Sequence, residues 1–352
     1  MKKEEFYVYL SRIADDIHLS EGARGMKRVL VALHRKGRMS TRDMSRATKL
    51  APPIVSLILE RLSADGLLHR GKDGAGYTEK GMKFVENELG IASLDAIPCG
   101  CCGGTGVEID VLNRHSRLHA EITNFMTTRP DHDVTLDQAK CTVETALRRL
   151  LFLHSWHVFD GNEVLFLGDD DFMSIASCLP VFHEEFFIFD GETAKPTFHA
   201  TMMDIDERIV ERVERIKEEE NMSNLDTMLH DVRDPLPIEC RDKFDVVFTD
   251  PPYTLNGCKL FLSRAVDALK KEKGTRIFLS FGHVALPVLK TIQELIIDSG
   301  FMIEEIKPAF NMYEGGNIIG NISQMMVITT TGSITPAIPS DAKFTEKIYT
   351  DD

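Results

Sequence analysis

The chain has 352 residues, 43% hydrophobic and 27% charged, which suits two ordinary folded domains and excludes a fibrous, collagen-like or mainly disordered protein. Its net charge of −14 is unevenly spread: residues 1–90 carry 17 Lys and Arg against 12 Asp and Glu, and the remainder carries 24 against 43. So acidic a body is ill suited to gripping phosphate backbones and well suited to cationic ligands.

The N-terminal MKKEEFYVYLSR holds no signal-peptide stretch, and no later run approaches the ~20 apolar residues of a membrane span, so a cytoplasmic chain without a membrane partner is expected. Apolar spacing predicts a helix over 26–34 stopped at Gly37 and a second over 41–48 capped by Ser40. A third is opened by Pro52 and Pro53 and ended at Gly66. A strand over 67–70, a glycine-rich turn over 71–76 and Tyr77-Thr78 complete a hairpin. Three helices and a hairpin resemble a winged helix-turn-helix, which places an N-terminal domain over 1–95. Arg42, Arg46, Lys49, Arg61, Arg70 and Lys72 would suit DNA. The positive excess is small and the acidic remainder would repel DNA, so packing or dimerisation is the favoured role. Nucleic acid is not expected as a partner.

Residues 96–160 read as a Cys/Gly linker and helical connection. Seven cysteines, three of them crowded at Cys99, Cys101 and Cys102, do not describe a secreted disulfide framework. Cys99 and Cys102 have zinc-knuckle spacing, but only as half a site, which His115, His119 or Cys141 could complete. A structural metal and a thiol-containing linker both remain open. Residues 111–160 then read as helix, with heptad-like apolar positions in VETALRRLLFLHSW.

From 161 to 331 strands over 163–167, 186–189, 199–205, 244–249, 276–281, 301–306 and 325–329 alternate with helices near 172–180, 206–220, 258–272 and 286–299. Apolar strands separated by amphipathic helices predict an α/β domain, a Rossmann-like fold of the AdoMet-methyltransferase type with a mostly parallel sheet. Ligands bind such sheets at the carboxyl ends of the strands. There Gly168 is followed by Asp169, Asp170 and Asp171, where a nucleotide fold ordinarily keeps several glycines. Three adjacent carboxylates repel one another unless a cation compensates, which favours a ligand-facing run over solvated acids capping the next helix. Asp204 and Asp206 end a later strand, where an acid can accept from ribose hydroxyls, and Asp231 is placed to receive an adenine amino group. After the strand FDVVF comes Asp250-Pro251-Pro252-Tyr253-Thr254. The two prolines hold the backbone rigid. The acid supplies an acceptor for amine hydrogens and the ring a surface for the substrate. Residues 332–352, rich in Thr, Ser and Pro, read as a flexible C-terminal tail.

GDDD after one strand, DPPYT after another, a winged-helix-like head, a cysteine-glycine segment and the ending IYTDD together resemble the branched-chain polyamine synthases of archaea and thermophilic bacteria. The third cysteine, inserted between Cys99 and Cys102, departs from that family's knuckle. The resemblance implies an aminopropyltransferase. It would move the aminopropyl group of decarboxylated S-adenosylmethionine to the secondary N4 amine of spermidine, and then to the product again, releasing methylthioadenosine. Charge agrees, because ordinary AdoMet carries a carboxylate that the aspartates would repel and the decarboxylated donor carries only positive charge.

On this reading Asp171 or Asp170 is the base, Asp250 orients the amine and Tyr253 packs against its methylenes. Gly168, Asp169, Asp204, Asp206, Asp231 and Pro251 hold the donor, while Glu184, Glu185, Tyr313 and Glu314 hold spermidine and related polyamines. Asp190, Glu192 and Asn311 assist. No metal is required for the chemistry, and a homodimer is the expected assembly. The rival readings are an AdoMet-dependent amino-methyltransferase acting on nucleic acid through DPPY, and a non-enzymatic winged-helix regulator.

Overall fold

The computed structural model describes residues 3–19, 22–48, 50–88, 116–186, 188–189, 192–193, 196, 198–282, 284–314 and 321–350. Cys99, Cys101 and Cys102 lie outside the described residues. The chain divides into two compact units, one of Met1–Gly106, His283–Lys290 and Gly316–Ile322, the other of the remainder.

The first unit strings α1 (Lys3–Asp16), α2 (Gly22–Lys36), α3 (Thr41–Thr48) and α4 (Pro52–Ala64) ahead of a hairpin of β1 (Leu68–Gly71) and β2 (Gly74–Tyr77), and ends with α5 (Glu79–Glu88). Pro52 opens α4, where its missing N–H costs nothing. Ser40 accepts from the Asp43 amide at 3.1 Å as the cap of α3. Ile13, Leu30, Leu33, Met44, Val55, Ile58, Leu62 and Val85 form one buried core. Gly74, at φ +101°, turns the hairpin where a Cβ would stand 2.3 Å from the Met39 carbonyl oxygen.

The second unit opens with α6 (Ser116–Met126) and α7 (Val143–Ser155), then alternates β3 (Glu163–Leu167), α8 (Met173–Cys178), α9 (Pro180–Phe186), the two-residue strands β4 (Ile188–Phe189) and β5 (Glu192–Thr193), and β6 (His199–Asp204). The chain continues through α10 (Glu207–Glu219), β7 (Leu225–Leu229), β8 (Val246–Thr249), α11 (Leu255–Ala268), β9 (Arg276–Gly282), α12 (Leu286–Asp298), β10 (Phe301–Met312) and β11 (Ile322–Thr330). Seven strands form one sheet in the order β10-β11-β9-β8-β3-β6-β7. β3 pairs in parallel with β6 and β8, β6 with β7 and β8 with β9, while β11 runs antiparallel to β9. β3 is almost wholly buried, β8 and β11 wholly so, as a sheet covered on both faces requires.

β7 has no counterpart among the predicted strands. Its LDTML is buried only at Leu225 and lies at the sheet edge, so it lacks the continuous apolar run that marks the inner strands. The chain order reverses on either side of β3, so the crevice above β3, β6 and β8 is the topological switch point. Among the described residues no helix is long and apolar enough to cross a membrane.

The segment after β11, flexible by composition, is docked. Ile338, Phe344 and Ile348 are buried. Phe344 donates its amide to the Arg233 carbonyl at 2.7 Å, Arg264 donates to the Ala342 carbonyl at 2.8 Å, and Thr350 donates its amide to Asp137 at 2.9 Å. Phe344→Ala should therefore cost about 3 kcal/mol of stability and open residues 340–350 to proteolysis. Unchanged resistance in a limited-digestion time course would contradict this docking.

Candidate functional site

Gly168 leaves β3 at φ +73°, and a Cβ there would stand 3.1 Å from the Phe261 ring. Asp169, expected beside the donor, instead caps α8: it accepts from the Met173 amide at 2.8 Å, the Ser174 amide at 3.1 Å and the Ser174 hydroxyl at 2.5 Å. Its own amide donates to Asp204 Oδ2 at 2.8 Å, and Asp204 Oδ1 accepts from the Asp206 amide at 2.8 Å. These two acids stitch the ends of β3 and β6 together. Burial pushes Asp169 up to about 7 and Asp204 up to about 6, with their hydrogen bonds opposing the rise. Asp206 caps α10 and accepts from Arg208 at 2.6 Å and Gln138 at 3.0 Å, while Asp231 pairs with Arg233 at 2.8 Å.

Two motifs distant in sequence meet at one guanidinium. Arg149, on α7 and fully buried, donates from Nη1 to Asp171 Oδ2 at 2.7 Å and from Nη2 to Asp250 Oδ2 at 2.6 Å. Asp171 also accepts at Oδ1 from Arg129 at 3.0 Å and from the Cys141 amide at 2.7 Å. Asp250 further accepts from the Tyr313 hydroxyl at 2.6 Å and, at Oδ1, from the Tyr253 hydroxyl at 2.8 Å. The two phenol oxygens stand 2.7 Å apart, and burial followed by the Asp250 charge raises both phenols well above their ordinary value, so they stay protonated donors. Asn311 and Ser323 close the floor: Asn311 accepts from Arg149 Nε at 2.8 Å and donates to Ser323 at 2.8 Å.

Asp170 stands apart from this order. Its side chain makes no hydrogen bond or ion pair among the described residues. Burial, then the charges of Asp171, Asp204 and Asp250, raise its carboxyl well above the usual range against the pull of Arg129. The two acids between which the sequence leaves the base open are thus unlike, one held on three sides and one unengaged.

The backbone around DPPYT is as constrained as the prolines imply. A Cβ on Gly282, at the end of β9, would meet the Tyr253 ring at 2.5 Å, and one on Gly257 would meet the Pro252 carbonyl oxygen at 2.7 Å. Thr254 caps α11 by accepting from the Gly257 amide at 2.9 Å and donates to the Ile348 carbonyl at 2.6 Å, which brings the C-terminal segment to the motif. Pro251 is buried between them.

The structure therefore gathers Asp170, Asp171, Asp250, Tyr253 and Tyr313, with Gly168, Asp169, Asp204 and Asp206 shaping the adjoining strand ends. Glu184 instead pairs on the surface with Arg117 at 2.6 Å, Glu185 lies half-buried on the same helix, and Glu314 is exposed with its amide bonded to the Lys140 carbonyl. Asp190 lies outside the described residues. Among the described residues no group of three or more His, Cys, Asp or Glu is placed to hold a metal ion. Arg129 and Arg149 are absent from the sequence reading. The available signal was an arginine inside the apolar stripe of VETALRRLLFLHS, at a position flanked by buried Ala146, Leu150 and Leu153.

Residues 118–349 match the family model described as Branched-chain polyamine synthase A C-terminal domain. A protein of Methanocaldococcus jannaschii described as uncharacterized is 33% identical over 99% of this chain and 83% of its own length. The N(4)-bis(aminopropyl)spermidine synthase of the same organism is 30% identical over 74% of this chain and 70% of its own. Among solved structures, the branched-chain polyamine synthase of Thermus thermophilus, in complex with N4-aminopropylspermidine and 5'-methylthioadenosine, aligns with a TM-score of 0.77 at 23% identity, covering 100% of this chain and 98% of that one. At that identity the likeness establishes the fold.

Asp169 and Asp204 bear on stability as well as shape. An unfolded chain releases their protons near pH ~4, whereas the folded chain keeps them to about 7 and about 6. Their contribution is fully present below the lower value and lost as pH rises through the folded values. The urea midpoint should fall between about pH 4 and about pH 7, and less steeply in Asp204→Asn; equal slopes in the two proteins would refute it.

Proposed function

The chain belongs to the branched-chain polyamine synthase family and is a transferase enzyme, and on that footing we propose that it moves the aminopropyl group of decarboxylated S-adenosylmethionine to the N4 amine of spermidine. N4-Aminopropylspermidine and then N4-bis(aminopropyl)spermidine are the products, with methylthioadenosine released at each transfer. The observation that carries this reading is the unengaged Asp170 carboxylate among Asp171, Asp204 and Asp250 at the switch point. An acidic crevice of this kind suits a donor bearing a sulfonium and an ammonium, and would repel one that keeps its carboxylate.

Acceptor capacity supports the secondary amine. A carboxylate offers about four lone-pair sites, and Asp250 already uses three, for Tyr253, Tyr313 and Arg149. One remains, on Oδ1. A protonated secondary amine has two N–H groups: Asp170 takes one proton, and Asp250 accepts from the other N–H and holds the lone pair towards the carbon next to sulfur. The C–S bond breaks as the N–C bond forms, and its electron pair leaves with methylthioadenosine as a neutral thioether. Before the second transfer Asp170 passes that proton to solvent; the protonated tertiary amine then gives Asp170 its single proton, and the freed lone pair attacks a second donor to form the quaternary nitrogen. Asp204, Asp206 and Asp231 hold the nucleoside, and the tyrosine rings flank the methylene chain.

Incubation with decarboxylated AdoMet and spermidine should release methylthioadenosine and add one C3H7N unit per transfer by mass spectrometry. Asp170→Asn should lower kcat by roughly 10²- to 10⁴-fold, the range of lost acid-base help. Turnover of intact AdoMet with nucleic acid, or wild-type activity in Asp170→Asn, would overturn the assignment. Gly282→Ala, which displaces the Tyr253 ring, should lower kcat by up to ~10²-fold; activity equal to wild type would remove Tyr253 from the chemistry.

A further inference from the structure

Arg149 lies outside every motif that identifies the site, yet it contacts more of that site than any residue within them. Its Nε donates to Asn311 of β10, Nη1 to Asp171 after β3, and Nη2 to Asp250 after β8 and to Tyr313 at 2.8 Å, with Ser280 of β9 at 3.4 Å. The guanidinium carbon stands 5.4 Å from the centre of the Phe248 ring and 5.6 Å from that of Tyr313, so its plane is held as well as its donors. Fully buried, it does not line the crevice and acts only through the groups it holds. An ammonium in its place would reach one carboxylate at a time, because a point charge lacks the planar fork that spans two acceptors.

That arrangement has a chemical consequence. Asp171 and Asp250 each spend an oxygen on the Arg149 guanidinium, so taking the amine proton there would mean giving up an ion-pair hydrogen bond. Asp170 carries no such partner. Resting on the aminopropyl-transfer reading, we propose that Arg149 is a positioning residue of the reaction: it holds Asp171 and Asp250 in register and occupies both, leaving Asp170 as the carboxylate that takes the amine proton. The charges that act most on Asp170 are those of Asp171 on its own loop, Asp204 at the end of β6, Asp250 after β8 and Arg129 after α6. Arg149 and the Cys141 amide bond to Asp171, and Tyr253 and Tyr313 to Asp250.

The test compares full-length wild type, Arg149→Met and Arg149→Lys by kcat, KM and pH profile. In Arg149→Met kcat should fall by about 10²-fold. KM for the polycationic amine should hold or fall, because the site gains a net negative charge. The acid limb of kcat/KM should move to higher pH, since Asp171 and Asp250, no longer offset by the guanidinium, would act on Asp170 with their full charge. Arg149→Lys should lose kcat with its acid limb unmoved. Loosened packing would do the opposite, raising KM and, by admitting water, shifting the limb to lower pH; that result, or an unchanged kcat in either variant, overturns the proposal. If Arg149→Met does not fold, Arg149→Lys decides by its kcat. Should the wild type itself not turn these substrates over, the functional reading is what fails. The arginine is then tested by titrating 13C-labelled aspartate carboxyls, assigned with Asp170→Asn; Asp171 and Asp250 resonances unmoved by loss of the guanidinium would overturn it.

Discussion

Four carboxylates, those of Asp170, Asp171, Asp204 and Asp250, share the carboxyl ends of the parallel strands of one sheet. Their mutual repulsion is the constraint to which the surrounding structure answers. Asp204 and Asp169 meet it with backbone and hydroxyl donors and with raised proton affinity. Asp171 and Asp250 meet it with guanidinium charge. Asp170 accepts from no donor and pairs with no guanidinium among the described residues, so the unresolved part of the repulsion falls on it, as a raised proton affinity that a cationic ligand would relieve.

The counter-charges come from outside the nucleotide fold. Arg129 follows α6 and Arg149 lies on α7, in the helical connection that precedes the first strand. This connection also supplies the Cys141 amide to Asp171 and Gln138 to Asp206, and Asp137 to Thr350 at the C-terminal end of the docked segment. A segment that looks like a link between domains is thus one wall of the site, and the end of the chain fastens to it. The crevice is built by wrapping the sheet from both ends of its own chain unit.

Glycine at Gly282 shows the same economy of space. Nothing in the strand RIFLSFG asks for it until the Tyr253 ring is placed against it. The phenol then reaches Asp250 and the Tyr313 hydroxyl, and its ring packs edge-on against Phe281. The two prolines stiffen one side of this contact and the bare glycine backbone the other.

Much of this was legible along the chain. Strand and helix succession, the acid-rich turn after β3 and the rigid DPPYT follow from local pattern, since apolar periodicity, proline geometry and like-charge crowding act between neighbours in sequence. The edge strand β7 escaped because only its first residue is buried, and the pairing of Glu184 with Arg117 is a contact in space that no sequence pattern announces. The acidic charge and the GDDD and DPPYT turns carried, along the chain alone, the expectation of cationic ligands bound after β3 and β8. Which acid is free, and that the helix α7 keeps the others occupied, was decided only when residues 149, 171, 250 and 313 came within hydrogen-bond distance, because a carboxylate's charge is set by its partners in space.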